Sequence, residues 1–400
     1  MAQAAARTIE PTSARNGHKL GLDFARTRDE LAKSRHLPGE FYYSPEIFQL
    51  EMEEIFMKDW LCVGRIEQFQ KPGDYKALRI ANEPLVVVRD EKGNLNAFAN
   101  VCRHRGVEVA TGQGNRNEFV CPYHAWTYDL EGKLKGAPLS KSVENFDFKN
   151  CRLPQLQCST WGGWIFVNFD PKARSLEDYL DIEGVRKYGD LLHPEETMIS
   201  DEYVFEIDCN WKYIPENVSD FYHVKIVHAT SFGKHFPDNP EWTFEPNGRF
   251  HSEYEAFTMA PEGLSLFGPM PWLKDRRPSP TFACAFYVQP TLNIFGRQDC
   301  IQPWVTHPIS PERSRVTIWT QFPKEHFTNI PEPAFQARNQ VYSDFIRLVA
   351  GEDGAMLRSL QNGVKSRHFN PGPMVGLENT LHYFFNYYLD RLFGPQSTHA

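Results

Sequence analysis

Two short runs constrain this chain more than anything else in it: Cys102-x-His104 and Cys121-x-x-His124, inside NVCRHRGVEVATGQGNRNEFVCPYHAW. Each pairs one thiol with one imidazole, and sixteen residues separate the pairs. The usual zinc-finger order places both cysteines first and both histidines later. Here each run supplies one anionic sulfur and one neutral nitrogen. Two similar loops facing each other could therefore clamp a binuclear centre, with Cys102 and Cys121 on one metal and His104 and His124 on the other. Gly106 and Pro122 suit tight loop backbone beside sulfur, and Trp126 and Tyr128 could seal one side. A tetrahedral zinc site and four unconnected side chains are the competing readings.

This split of ligands has a distinct redox consequence. Replacing two thiolates by neutral imidazoles on one iron of a 2Fe-2S cluster raises its reduction potential by several hundred millivolts, as in Rieske centres. Such a cluster accepts electrons readily. The remaining thiols, Cys62, Cys151, Cys158, Cys209, Cys284 and Cys300, form no pair of this kind and read as small core hydrophobes.

A second dense constellation is PENVSDFYHVKIVHATSFG, residues 215–233. It crowds Glu216, Asn217, Asp220, Tyr222, His223 and His228 into a helical pattern. Two ligands on one regular helix should be four apart; a separation of five turns them about 140° from each other. His223 and His228 can meet at one metal only across a bulge, or where the helix ends between them. Distortions of that kind cluster at functional sites. Asp220, three before His223, is placed to hydrogen-bond its imidazole N–H. Two unconnected histidines beside a helix end are the alternative.

The rest of the chain divides by pattern. PEIFQLEMEEIFMKDW (45–60) reads as one amphipathic helix behind a Ser44 cap and Pro45. From there to about residue 169 the chain reads as hairpins: EPLVVVRD and LNAFANVC around EKGN, FVCPYHAWTYDL and KLKGAP around EG, then WGGWIFVNFD. Beyond residue 200 come longer strands, FACAFYVQPTLNIF and VTIWTQFP, and C-terminal helices, with RPSP near 279 and NIPEPA near 333 as loops. The 30 Phe, 16 Tyr and 9 Trp among 400 residues rule out a disordered chain and allow two cores. A net charge of −8 without basic runs argues against nucleic acid or an anionic membrane as partner. No apolar run reaches membrane-span length, and Glu10 and Pro11 make MAQAAARTIEPTSARNG a terminal arm rather than a transit peptide. A cytoplasmic chain with reduced thiols is expected.

Together the two constellations resemble the α-subunits of Rieske non-haem iron oxygenases, the aromatic-ring-hydroxylating family, and the likeness covers most of the chain. CRHRG through CPYHAW matches the family's cluster motif at Cys102, His104, Cys121 and His124. Its catalytic pattern, E-N-x-x-D-x-Y-H-x-x-x-x-H, matches Glu216, Asn217, Asp220, Tyr222, His223 and His228. The family completes an iron-binding triad with a downstream carboxylate, which GEDGAMLRSLQNG supplies as Asp353, with Glu352 as the fallback and Gln361 eight residues on. The resemblance implies an α+β chain: residues 1–40 as an N-terminal arm and helix packing on the catalytic domain, 41–160 as a small all-β Rieske domain, and 161–400 as a larger catalytic domain with an antiparallel sheet flanked by helices. It also implies a Rieske cluster feeding a mononuclear Fe(II) that uses O2, with Asp220 bridging the cluster of one subunit to the iron of its neighbour. A homotrimer is the simplest ring to close that contact.

No G-x-G-x-x-G fingerprint is present, so NAD(P)H must act through a separate reductase, with or without a ferredoxin between. Arg103, Arg105, Arg116, Lys133 and Lys135 lie near the cluster loops and could receive an acidic donor. LSLFGPMPWL and the strand bearing Asn293, Phe295 and Arg297 could wall the substrate pocket. An aromatic substrate, and hence aromatic compound catabolism, is the first expectation. Oxidative N-demethylation or hydroxylation of a betaine-like amine is the second. A Rieske electron-transfer protein without oxygenase activity is the rival class; it would have no use for His223, His228 and Asp353.

Overall fold

The structure is a computed structural model that describes residues 23–233, 236, 238, 241–245, 249–255, 265–275 and 282–395. Two antiparallel seven-stranded sheets organise it. The first runs in the order Leu61–Arg65, Trp164–Asn168, Gln155–Trp161, Leu95–Ala99, Glu83–Arg89, Asp74–Ile80 and Gln113–Asn115. Its central hairpin turns where the EKGN signal predicts, because the Asp90 carboxylate accepts from the backbone N–H groups of Lys92 (2.9 Å) and Asn94 (2.8 Å). A three-stranded ribbon, Phe119–Val120, Thr127–Tyr128 and Leu134–Gly136, carries the second Cys/His run.

The second sheet orders Thr197–Ile207, Arg313–Pro323, Ile301–Ser310, Leu292–Arg297, Phe282–Val288, Arg249–Glu255 and Thr243–Glu245. Alternation along its middle strands sends Leu292, Ile294, Ile301 and Val305 into a core with Phe286 and Trp319. The opposite face carries Phe295 paired with Gln302, and Trp304 on the neighbouring register. Against this sheet packs the helix Glu332–Gly363, which begins inside NIPEPA, the run expected as a loop. Pro333 falls in its first turn, where a missing N–H costs nothing. RPSP lies outside the described residues.

The helix expected over 45–60 starts as predicted, with Ser44 Oγ accepting from Ile47 N at 3.3 Å, but is α-helical only to Glu51 and widens to a π turn over Met52–Phe56. The change of pitch follows a fully buried carboxylate: Glu51 takes Lys212 Nζ at 2.6 Å, Trp211 Nε1 at 2.8 Å, and the Tyr388 hydroxyl. Tyr42 stacks on Tyr213, and Phe56 meets Trp211 edge-on. Residues 41–56 thus contact the catalytic half while sharing a core with Leu61, Val63, Leu85 and Val87 of the first sheet. The expected boundary at 160/161 also cuts a hairpin, since Trp164–Asn168 pairs with Gln155–Trp161 and the first sheet ends at Asn168. The two sheets are joined through His307, whose Nε2–H donates to Cys62 O at 2.9 Å, and through Ala81 N to Pro308 O at 2.8 Å. Among the described residues no helix is long and apolar enough to cross a membrane.

Candidate active site and cluster site

The two Cys/His loops are the same device used twice. Cys102 N bonds to Val107 O and Gly106 N to Cys102 O, both at 2.9 Å; Cys121 N bonds to Trp126 O at 2.8 Å and Ala125 N to Cys121 O at 3.0 Å. The fourth residue after each cysteine is left-handed, Gly106 at φ 81° and Ala125 at φ 55°. Glycine does this freely and alanine against its own Cβ. Both thiols are buried, whereas both imidazoles reach the surface. The histidines approach Nδ1 to Nδ1 at 3.1 Å, so both rings turn the same nitrogen inward. Trp126 stacks on His104 at 5.1 Å, and the Tyr128 hydroxyl lies 3.4 Å from Cys102 Sγ. The sequence expected both to seal this side.

In the second constellation the helix breaks. An α-helix spans Tyr213–Ser219, Asp220 is extended (φ −86°, ψ 106°), and a four-residue helix spans Val224–Val227 with His223 and His228 as its caps. The break at Asp220 falls before both histidines; they flank the short helix, and the five-residue spacing is met where that helix ends at His228 (φ −100°, ψ 23°). Nε2 of His228 lies 2.9 Å, and Nε2 of His223 3.5 Å, from Asp353 Oδ1. One donor atom from each of the three residues fits within 4.8 Å of the others. Two imidazole nitrogens and one carboxylate in a mostly buried site are the donor set that suits non-haem iron. Each ring's other nitrogen faces an acid: His228 Nδ1 meets Glu352 Oε2 at 2.7 Å, and His223 Nδ1 meets Asp220 Oδ2 at 3.2 Å, the latter off the line of the ring N–H. The Asn217 amide sits 3.3 Å from both His223 Nε2 and Asp353 Oδ1. Burial opposes a charge on His223, yet the Asp220 and Asp353 carboxylates outweigh it and lift its pKa to about 9. The site is built to hold positive charge.

Glu352 and Asp353 therefore differ in geometry. Asp353 faces both Nε2 atoms, while Glu352 sits behind His228, also accepting from Ser231 Oγ at 2.8 Å and Thr230 Oγ1 at 3.3 Å. Gln361 lies away from the triad: its Oε1 accepts from Asn210 N at 2.8 Å and its Nε2 donates to Tyr42 O at 3.0 Å. Glu216 is buried beneath Tyr42, and desolvation pushes its carboxyl up to about 8. Tyr222, expected among the catalytic residues, is 58% exposed and does not line the cavity beside the triad.

That cavity lies between the free face of the second sheet and the long helix. The sheet contributes Phe295, Arg297, Gln302 and Trp304; the helix contributes Ile346, Val349 and Asp353, one stripe at spacings of three and four. Phe221, Phe232 and Phe236 close it from the segment around His228. Of the expected pocket residues, Phe295 and Arg297 line it and Asn293 does not. In LSLFGPMPWL, Leu264 is outside the described residues, and Phe267 packs on Phe322, Phe335 and Tyr342 instead. Phe232, Phe236 and Trp304 were missed; nothing in local spacing separates them from core aromatics. Near the cluster loops, Lys133 and Lys135 are paired with Glu131 and Glu118, while Arg105 and Arg116 lie over Tyr123 and Tyr75.

Comparison with known proteins agrees with this architecture. The Rieske [2Fe-2S] domain family matches residues 59–147, and the family of the ring hydroxylating alpha subunit (catalytic domain) matches residues 194–394. The oxygenase subunit of carnitine monooxygenase from Acinetobacter pittii is 28% identical over 367 residues, covering 88% of this chain and 90% of that protein. The alpha subunit of 2-aminobenzenesulfonate 2,3-dioxygenase from an Alcaligenes species is 34% identical over 239 residues, 57% of this chain and 60% of that one. Among solved structures, a quaternary ammonium Rieske monooxygenase superposes with a TM-score of 0.77 at 25% identity, covering 93% of this chain and 99% of that one. The chain belongs to the ring-hydroxylating α-subunit family: it is the terminal oxygenase component of a Rieske system, carrying a 2Fe-2S cluster and a mononuclear iron, that takes electrons from a reductase to hydroxylate an organic substrate with O2.

Proposed function

We propose that His223, His228 and Asp353 hold the iron, that Cys102, Cys121, His104 and His124 hold the cluster, and that the substrate is a small quaternary ammonium compound. The observation that carries the iron assignment is the convergence of two Nε2 atoms and Asp353 Oδ1, with each Nδ1 facing a separate carboxylate. Those carboxylates keep the ring protons on Nδ1 and leave the Nε2 lone pairs for a metal. Bound there, iron supplies the reductive activation of dioxygen. The Asn217 amide orients Asp353, and the aromatic walls exclude water from the reacting carbon.

Electrons pass between subunits in this reading. His104, His124 and Tyr123 are exposed on one face; around Asp220 stand Tyr222, Ile226, Met356 and Leu360, all exposed apolar or aromatic side chains. A second copy's cluster loops would cover that patch, and a homotrimer closes the ring. A separate NAD(P)H-dependent reductase, with or without a ferredoxin, feeds the cluster. The chain works in the cytoplasm, consistent with eight free thiols.

Aromatic faces attract quaternary ammonium groups, and the relative that spans most of the chain is named for carnitine. An aromatic substrate, the first expectation from sequence, is the second reading, favoured by the same walls and by the aminobenzenesulfonate relative. The deciding experiment loads both metals, adds a surrogate reductase and screens carnitine-type amines and aromatic acids for hydroxylated product, since oxygen loss alone can be uncoupled turnover. His228→Ala should abolish iron and product while preserving the cluster spectrum. A wild type that passes electrons but oxidises no member of either class would defeat this proposal.

A further inference from the structure

Within the cavity one arginine stands without a contact ion pair among the described residues, although the Asp299 carboxylate two residues on feels its charge. Arg297 is half-buried; its Nε donates to Gln302 Oε1 at 3.2 Å, and its guanidinium stands 6.0 Å from the Phe295 ring centroid. Among the described residues it makes no ion pair, and it is the only arginine or lysine lining the cavity. The nearest acid along the chain, Asp299, is fully buried and already accepts from Ser265 Oγ at 2.8 Å and from the Tyr342 hydroxyl. The lining acids, Asp220 and Asp353, are gathered at His223. A guanidinium held at its Nε by a neighbour keeps its two terminal NH2 groups for a planar or tetrahedral anion.

We propose that Arg297 anchors an anionic group of the substrate, so that the compound oxidised is a small organic acid, a carboxylate or sulfonate, whose other end is the aromatic or quaternary ammonium group offered to the iron. This rests on the oxygenase reading above and narrows it. The aromatic walls alone do not choose between a flat ring and a trimethylammonium head, whereas Arg297 demands the same thing of either. It also repels a simple cation without an acid, such as choline.

Matched pairs test it on the metal-loaded chain by calorimetry and by turnover: carnitine against carnitine methyl ester, and 2-aminobenzenesulfonate against its sulfonamide. Wild type should bind the acid of at least one pair about 10- to 100-fold more tightly than its neutral partner. Arg297→Gln should raise Kd and KM for that acid by the same factor, leave the neutral compound's Kd unchanged, and keep iron content and cluster spectrum. Arg297→Lys should recover part of the preference. Equal binding within both pairs in wild type, or equal weakening of acid and neutral compound in Arg297→Gln, overturns the proposal. Acids bound through Arg297 but never oxidised would sink the oxygenase reading and leave the anchor standing. Neutral compounds oxidised as well as the acids would do the reverse.

Discussion

Tyr128→Phe tests how the protein sets the potential of its cluster. The Tyr128 hydroxyl accepts from Arg103 N at 3.0 Å, so its one proton is free to point at Cys102 Sγ, 3.4 Å away. With Cys102 a thiolate ligand, sulfur can only accept. Reduction adds negative charge to the cluster and strengthens that hydrogen bond, which therefore favours the reduced state and raises the potential. A bond to a charged acceptor is worth about 1.5–3 kcal/mol. Part of this is present in both oxidation states, leaving about 1–2 kcal/mol, or about 40–90 mV for one electron. Phenylalanine keeps the buried ring among Phe98, Phe119 and Leu130, and the part-buried Arg103 N–H loses one acceptor. An EPR-monitored redox titration of both proteins should place the variant lower by that amount, with unchanged cluster content. A potential equal to wild type would mean that the hydroxyl proton does not reach sulfur, and the ordering of donors around Tyr128 would have to be redrawn.

His307 is buried and its pKa is depressed to about 4, chiefly by desolvation. An unfolded histidine titrates near about 6.5, so the unfolded chain binds the proton first; stability is full above that pH and falls as pH drops toward 4, by about 3 kcal/mol from this residue. Urea titrations should show that slope in wild type and its loss in His307→Gln. Lys212→Met strands the buried Glu51 carboxylate with only Trp211 and Tyr388 as donors and should cost about 3–5 kcal/mol in a denaturation measurement, while Glu51→Gln combined with it should cost less than the two changes summed. Asp220→Asn should retain both metals but hold a reduced cluster beside ferrous iron and substrate in single-turnover experiments; wild-type transfer rates in the variant would move the electron route elsewhere.

The cluster loops were legible because ligand chemistry fixes residue type and spacing together: two Cys/His pairs admit few other uses. The hairpins were legible for a similar reason, since the EKGN and EG turns need particular backbone angles, with Gly93 and Gly132 both at positive φ. Helix interruptions were less so. The helix end at His228 followed from the need of His223 and His228 to meet, a functional argument; the break at Asp220 had no such signal, nor had the π turn after Glu51, whose carboxylate is held by a lysine 161 residues away. The same holds for Glu352. In sequence it is a neighbour of Asp353; only the pitch of the long helix, about 100° per residue, decides that one carboxylate faces both Nε2 atoms and the other backs His228. The cavity was least legible, since Phe295 and Phe267 look alike until the sheet face is known.

The two acids behind the proposed iron ligands are held differently, and that difference bears on the electron route. Glu352 is held from within its own chain by three partners, His228 and Ser231 at Oε2 and Thr230 at Oε1. Asp220 Oδ1 accepts from Tyr222 N at 2.7 Å, and Oδ2 lies beside His223 Nδ1, 3.2 Å away and off the N–H axis. A carboxylate oxygen has two acceptor positions, so Oδ2 keeps capacity for a second N–H from outside. The exposed His104 and His124 rings of a second copy could present such donors, and Tyr222, Ile226 and Met356 are exposed as well. Within one subunit Asp220 is under-used; between two it would be satisfied. Asparagine at 220 would offer a donor on one of its two arms, and this is why so small a change should sever electron flow without disturbing either metal.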